Sequence, residues 1–147
     1  AALIHAVWKI YEKNNKPFDT KQTIGVIVPY RNQISTIRKE LSKYDIEELL
    51  DITIDTVERY QGSERDIIIY GFTIHKLYQL DFLTSNTFIE DDEIIDRKLN
   101  VAMTRAREQM FLVGNPDILK ANLLFSRLLD YTKSINGFVE LPIIKFV

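Results

Sequence analysis

Three short stretches of this 147-residue chain are dense in side chains that could bind a phosphate or a base. The first is Pro29-Tyr30-Arg31-Asn32-Gln33. The second is Glu58-Arg59-Tyr60-Gln61-Gly62-Ser63-Glu64-Arg65-Asp66. The third runs from Arg97 to Arg107 and contains Lys98 and Arg105 as well. A planar guanidinium that is always charged suits a phosphate group gaining charge in a transition state. Each stretch also has a plainer use: a helix-entry turn for Tyr30 and Gln33, a strand-to-loop turn eased by Gly62, and a solvated basic helix face for the arginines. Other chemistries find less support. There is no cysteine, so thiol nucleophiles, disulfides and thiolate zinc sites are excluded. His5 and His75 are far apart and suit packing or surface positions. The acidic run Glu90-Asp91-Asp92-Glu93 lacks the glycine-punctuated spacing of a calcium loop, so no metal site is expected. No set of nucleophile, base and orienting group is visible. With 19 basic and 21 acidic side chains the net charge is −2, so any nucleic-acid binding must use a local patch.

The elements that must position these residues alternate between strand and helix. Ala1 to Asn15 has apolar residues at helical spacing (Leu3, Ala6, Val7, Ile10, Tyr11). Ile24 to Val28, stopped by Pro29, reads as a strand buried on both faces. A helix is expected from Gln33 to Lys43, a strand from Ile52 to Val57, and another from Ile67 to Phe72. Asp55 suits an edge or loop position. Residues 73–96 read as an exposed insertion. Glu93 to Arg107 is expected to be helical, burying Leu99, Ala102, Met103 and Ala106, with Arg105 and Arg107 on opposite flanks. Met110 to Val113 is a strand. Ile118 to Tyr131 is a helix broken near Asn122, and Phe138 to Val147 leans towards strand. No Asn-Gly-type dipeptide joins adjacent strands. The expected fold class is therefore α/β: a three-layer α/β/α sandwich with a mainly parallel sheet, one domain over residues 1–147. Ligands in such sheets bind beyond the carboxyl ends of the strands, and all three stretches should lie on one rim or beside it.

Taken together and in order, the three stretches resemble the last motifs of superfamily 1 helicases. IGVIVPYRNQ (Ile24 to Gln33) is similar to motif IV, DTVERYQGSERDIIIYGF (Asp55 to Phe72) to motif V, and RKLNVAMTRAREQMFLVGN (Arg97 to Asn115) to motif VI. The branch resembled is that of the nonsense-mediated-decay helicase. The resemblance implies the second of two RecA-like domains, with ATP and Mg²⁺ bound mainly by the first, N-terminal one. It assigns Arg105 to the γ-phosphate, Glu64 to the ribose, and Gln61 and Gly62 to the turn that shapes the nucleotide cleft. It places Thr56, Tyr30 and Gln33 along single-stranded DNA or RNA. Val28 stands where the family often has Thr or Ser, and Ser63 where it is often basic.

The chain has no G-x-x-x-x-G-K-[ST] phosphate loop and no Asp-Glu pair after an apolar strand. It is therefore expected to hold the arginine half of a composite ATPase site and to be inactive alone. The uncapped start without an initiating Met suggests a piece of a longer protein. A scaffold module that has kept the fold and lost motor function is the alternative. The absence of cysteine, signal peptide and membrane-length apolar run points to a cytoplasmic protein.

Overall fold

The central strand of the sheet is the one with no polar side chain to offer water. Residues Ile24–Ile27 form β1, and all four are buried. In the computed structural model, which describes residues 1–60 and 63–141, β1 follows helix α1 (Ala2–Lys13) and precedes α2 (Asn32–Leu41). A 3₁₀ turn and the short helix α3 (Glu47–Asp51) lead to β2 (Thr53–Asp55). A second 3₁₀ turn, Val57–Tyr60, leads towards β3 (Arg65–Gly71). Then come α4 (Tyr78–Leu83), β4 (Thr87–Glu90), β5 (Glu93–Asp96), α5 (Arg97–Met103), β6 (Ala106–Val113), α6 (Pro116–Leu119) and α7 (Leu123–Ser134).

The main sheet has the order β2-β1-β3-β6, and every pair in it is parallel. Strand order, parallel sense and flanking helices make this an α/β fold of the RecA-like type. By contact density the chain divides into two compact units, Ala1–Gly71 with Lys98–Val113, and Phe72–Arg97 with Gly114–Val147. The sheet belongs to the first.

One face of that sheet builds the core. Ile24, Val26 and Val28, Ile52 and Ile54, and Ile67 and Ile69 alternate inward. They meet Ile4 and Val7 of α1, Leu41 of α2 and Leu49 of α3. The other face is buried too, at Ile27, Ile68 and Tyr70. This two-sided burial explains why β1 and β3 read as continuous apolar runs rather than alternating ones. Asp55 closes β2, an edge strand, as expected for an acid at that place.

The 3₁₀ turn after β2 is nailed to the sheet by Tyr60. Its ring is fully buried. Its hydroxyl donates to the Thr53 carbonyl at 2.7 Å and accepts from the Val26 N–H at 3.1 Å, joining β1 and β2. The space for it exists because residue 25 is glycine: a Cβ there would run into the Tyr60 hydroxyl and lie 3.0 Å from Cγ of Arg65. Burial pushes the Tyr60 hydroxyl far above its ordinary pKa, against the opposing pull of Arg65, so it stays a donor.

In the second unit, Phe72 packs edge-on against Phe125 with centroids 5.2 Å apart. Asn122 caps α7 through Oδ1, accepting from the N–H groups of Leu124 and Phe125, which is the expected break. Asn115 does the same for α6, with Pro116 at its first turn.

Three expectations are corrected. Glu93 to Arg107 is not one helix: Glu93–Asp96 is a strand, the helix ends at Met103, and Ala106 opens β6. Only Leu99 and Ala102 of the expected face are buried, while Met103 is exposed. A hairpin exists despite the lack of a glycine dipeptide. β4 and β5 are antiparallel about Asp91-Asp92, both at positive φ (50° and 63°). Short acidic side chains tolerate that geometry, so Asp-Asp serves where Asn-Gly is the usual signal. Residues 138–141 are not strand, and 142–147 lie outside the described residues.

Replacing Gly25 by alanine is expected to lower the stability of this domain by about 2 kcal/mol, the scale of overpacking a filled core. A urea titration measures it. A midpoint equal to that of the parent would show that Tyr60 does not need the gap.

Candidate functional site

The parallel register sorts the candidate residues into two groups. Asp55 of β2 is level with Ile27 of β1, and Ile27 with Tyr70 of β3. Thr56, Tyr30 and Gln33 therefore follow the carboxyl ends of β1 and β2. Glu64 precedes β3 and Arg105 precedes β6, and Arg65 pairs with Ala106. Glu64 and Arg105 thus sit side by side at the amino ends. From Glu64 to Tyr70 is six residues along β3, about 20 Å at 3.3 Å per residue. The expectation of a single rim is corrected: the three stretches supply both ends of the sheet. The reason is the crossover itself. The connection from β2 to β3 starts at the carboxyl rim and finishes at the amino rim, carrying Thr56 and Glu64 at its two ends.

At the amino rim, two arginines two residues apart behave differently. Arg107 is committed. Its guanidinium meets Asp66 Oδ1 at 2.8–2.9 Å and also donates to the carbonyl and side-chain oxygens of Gln22. It ties the start of β6 to β3 and to the residues ahead of β1. Among the described residues the Arg105 guanidinium bonds to its own turn, Nε to the Val101 carbonyl at 3.2 Å and Nη2 to the Thr104 hydroxyl at 3.1 Å. Both acceptors are neutral, and among the described residues it forms no ion pair with a carboxylate. Its backbone is fixed, with its N–H on the Ala102 carbonyl and its own carbonyl accepting from Arg65 N–H at 2.9 Å. Arg105 is therefore a half-buried cation on a fixed stem. Glu64, one residue ahead of Arg65 as Arg105 is one ahead of its partner Ala106, is exposed. Gln61 and Gly62 lie outside the described residues.

Arg65 was not singled out by the sequence. It is buried, donates to the Glu64 carbonyl at 2.7 Å and the Thr53 hydroxyl at 3.0 Å, and stands over the Tyr60 ring at 5.8 Å. Its Nε has no hydrogen-bond partner among the described residues. The only signal for it was position, directly after Glu64 at the head of an apolar strand.

At the carboxyl rim, Thr56 is nearly buried. Its N–H donates to Asp55 Oδ1 at 2.8 Å and its carbonyl accepts from Arg59 N–H. Glu58 follows it. Burial pushes the Glu58 carboxyl up, but hydrogen bonds from its own backbone and from the Lys98 and Thr56 side chains outweigh this and hold it below the ordinary glutamate range. Tyr30 and Gln33 are half-buried at the turn into α2, where the Gln33 N–H reaches the Tyr30 carbonyl at 3.1 Å. Val28, without a hydroxyl, contributes its N–H to the Asp55 carbonyl instead.

Among the described residues no group of His, Cys, Asp or Glu could hold a metal ion. The described residues therefore offer no magnesium site of their own. No described helix is long and apolar enough to cross a membrane.

The parallel sheet with its flanking helices defines the class, a RecA-like α/β domain. A family model described as AAA domain matches residues 1–117. The chain is 36% identical over 117 residues to the DNA polymerase alpha-associated DNA helicase A of Saccharomyces cerevisiae, covering 78% of this chain and 15% of that protein. It is 39% identical over 120 residues to Helicase sen1 of Schizosaccharomyces pombe, covering 81% and 6%. It is 32% identical over 120 residues to Regulator of nonsense transcripts 1 of Dictyostelium discoideum, covering 80% and 8%. The chain belongs to this AAA-domain family and is a C-terminal RecA-like domain of the superfamily 1 helicase type. It spans well under a fifth of the length of these curated relatives.

The difference between the two arginines is measurable without any ligand. Arg107→Ala is expected to lower the unfolding free energy by about 1 kcal/mol, as for a partly exposed charge-assisted pair. Arg105→Ala should stay within about 0.5 kcal/mol of the parent. The reverse order in a denaturant titration would show that Arg105 is the structural tie.

Proposed function

We propose that the chain is the second motor domain of an ATP-dependent helicase. It supplies Arg105 to the γ-phosphate of ATP bound mainly by an N-terminal RecA-like domain of the same protein. The observation that carries this reading is the fixed stem and uncommitted guanidinium of Arg105 beside Glu64. A guanidinium satisfied only by neutral acceptors can exchange them for phosphate oxygens, and a trans-acting arginine stabilises the charge of phosphoryl transfer. Glu64 is the ribose ligand, and Gln61 and Gly62 belong to the same cleft. Thr56, Tyr30 and Gln33 form part of the track for single-stranded DNA or RNA at the opposite rim. The chain has no phosphate loop, so the magnesium that accompanies ATP falls to the other domain, and no role here runs through it. The relatives whose names include helicase support the class of reaction. The reaction itself is ATP hydrolysis coupled to movement along one strand.

In the full-length protein, Arg105→Ala is expected to weaken ATP binding little, because the other domain grips the phosphates. Turnover should fall by roughly 10³-fold or more. Arg105→Lys should rescue little, since a point charge does not reproduce the planar fork. Arg107→Ala should cost far less turnover. Steady-state ATPase with saturating single strand, with nucleotide affinity measured alongside, separates these. Near-normal turnover by Arg105→Ala with a dead Arg107→Ala would make Arg107 the phosphate arginine. If neither matters, the scaffold reading replaces the motor.

The isolated domain should fold and show no ATPase above background, because half of a composite site lacks the groups that grip phosphate. Robust turnover by the purified domain, free of contaminating ATPase, would place the active site elsewhere.

A further inference from the structure

The crossover that joins the two rims is not a free strap. It runs from Thr56 at the carboxyl end of β2 to Glu64 at the amino end of β3, and the stretch formed by α5 and the two residues after it holds it near its start and just past its finish. Near its start, Glu58 Oε1 lies 3.1 Å from Nζ of Lys98, in the first turn of α5. At its finish, the Arg65 N–H donates to the carbonyl of Arg105, just past the end of α5. Between these ties, Tyr60 anchors the crossover to β1 and β2 through its hydroxyl. The second pin belongs to the β3–β6 ladder and holds whenever the sheet is folded. The first is a side-chain contact between residues 40 positions apart in sequence, and it is the only one of the two that can open without breaking the sheet. Lys98 is mostly buried, and Glu58 is the more exposed partner. Glu58 is two residues from Thr56, inside the 3₁₀ turn Val57–Tyr60, whose Arg59 N–H donates to the Thr56 carbonyl.

We infer that the Glu58–Lys98 ion pair is a coupling contact, and that these are positioning residues which pass the state of the nucleic-acid rim at Thr56 to α5, the helix that leads into Arg105. The inference rests on the proposed roles of Thr56 and Arg105. Neither Glu58 nor Lys98 touches the reacting groups. A strand contact that shifts Thr56 moves Glu58 with it, and Glu58 pulls on the first turn of α5. The helix is short and its far end is fixed by the ladder, so the pull acts on the turn from Val101 to Thr104, which supplies both acceptors of the Arg105 guanidinium. Without the pair, Arg105 keeps its place in the sheet and loses the signal that a strand is bound.

The test uses the full-length protein and reads ATP turnover with and without a saturating oligothymidylate or oligouridylate strand, together with strand affinity. Glu58→Gln and Lys98→Met should each lower strand-stimulated turnover about fivefold, the upper range for a partly exposed pair. Strand-free turnover and strand affinity should change by less than about twofold. The charge swap, Glu58→Lys with Lys98→Glu, should recover most of the stimulation, and a double-mutant cycle should show the two effects to be non-additive. Unchanged stimulation in both single variants overturns the inference. So does an equal fall of stimulated and strand-free turnover, which marks a merely structural pair, and so does a swap that recovers nothing. If the unmodified protein hydrolyses ATP with no response to either strand, the motor reading fails first and the coupling falls with it.

Discussion

In a parallel sheet every connection must travel back from the carboxyl end of one strand to the amino end of the next. That constraint organises this molecule. The segment from Thr56 to Glu64 has no room for a long helix; it leaves β2 through the 3₁₀ turn Val57–Tyr60 and has one foot on each rim. The turn needs an anchor, and Tyr60 provides it by bonding the backbones of β1 and β2 at once. The anchor in turn needs Gly25. One small residue in the central strand thus decides whether the crossover can lie against the sheet, and so where Glu64 and Arg65 arrive beside Arg105.

The buried guanidinium of Arg65 follows from the same packing. A cation in such a place is costly unless it is well bonded. Here two of its nitrogens are bonded, to the Glu64 carbonyl and the Thr53 hydroxyl, and the ring of Tyr60 lies within cation–π reach. No carboxylate neutralises it among the described residues. The amino rim accordingly carries two basic groups close together, Arg65 and Arg105, in a chain whose overall charge is −2.

What was legible in the sequence and what was not divide along physical lines. Strands buried on both faces announce themselves as unbroken apolar runs, and β1 and β3 were readable for that reason. The break at Asn122 was readable because a short polar side chain ahead of an apolar run caps a helix. The end of α5 was not. Leu99, Ala102, Met103 and Ala106 keep helical spacing, yet Ala106 is taken by its pairing with Arg65, a partner 41 residues away that local periodicity does not register. The hairpin about Asp91-Asp92 was hidden by its lack of glycine. The assignment of all candidate residues to one rim failed because strand order and sense decide rims. The pairing of β1 with both β2 and β3 is a tertiary fact. The types of the candidate residues were visible from spacing, but which of them meet was not.

The contrast between Arg105 and Arg107 shows why that distinction matters for function. Both are arginines in one basic stretch, and by composition they are equivalent. Arg107 points back across the ends of three strand segments and is consumed by Asp66 and Gln22, so its charge is already neutralised and its geometry already spent on holding the rim. Arg105 sits where a helix ends and a strand begins. The Val101 carbonyl and the Thr104 hydroxyl orient its guanidinium, at a helix end that favours a cation, without cancelling its charge. A group meant to meet a phosphate must be oriented before the phosphate arrives, or ordering it opposes binding. It must also remain unneutralised, or a carboxylate competes for it. A helix C-terminus followed at once by a parallel strand meets both demands, because the last turn supplies direction and the ladder supplies rigidity. In the proposed role, that junction is what turns one arginine of a basic stretch into the one that acts.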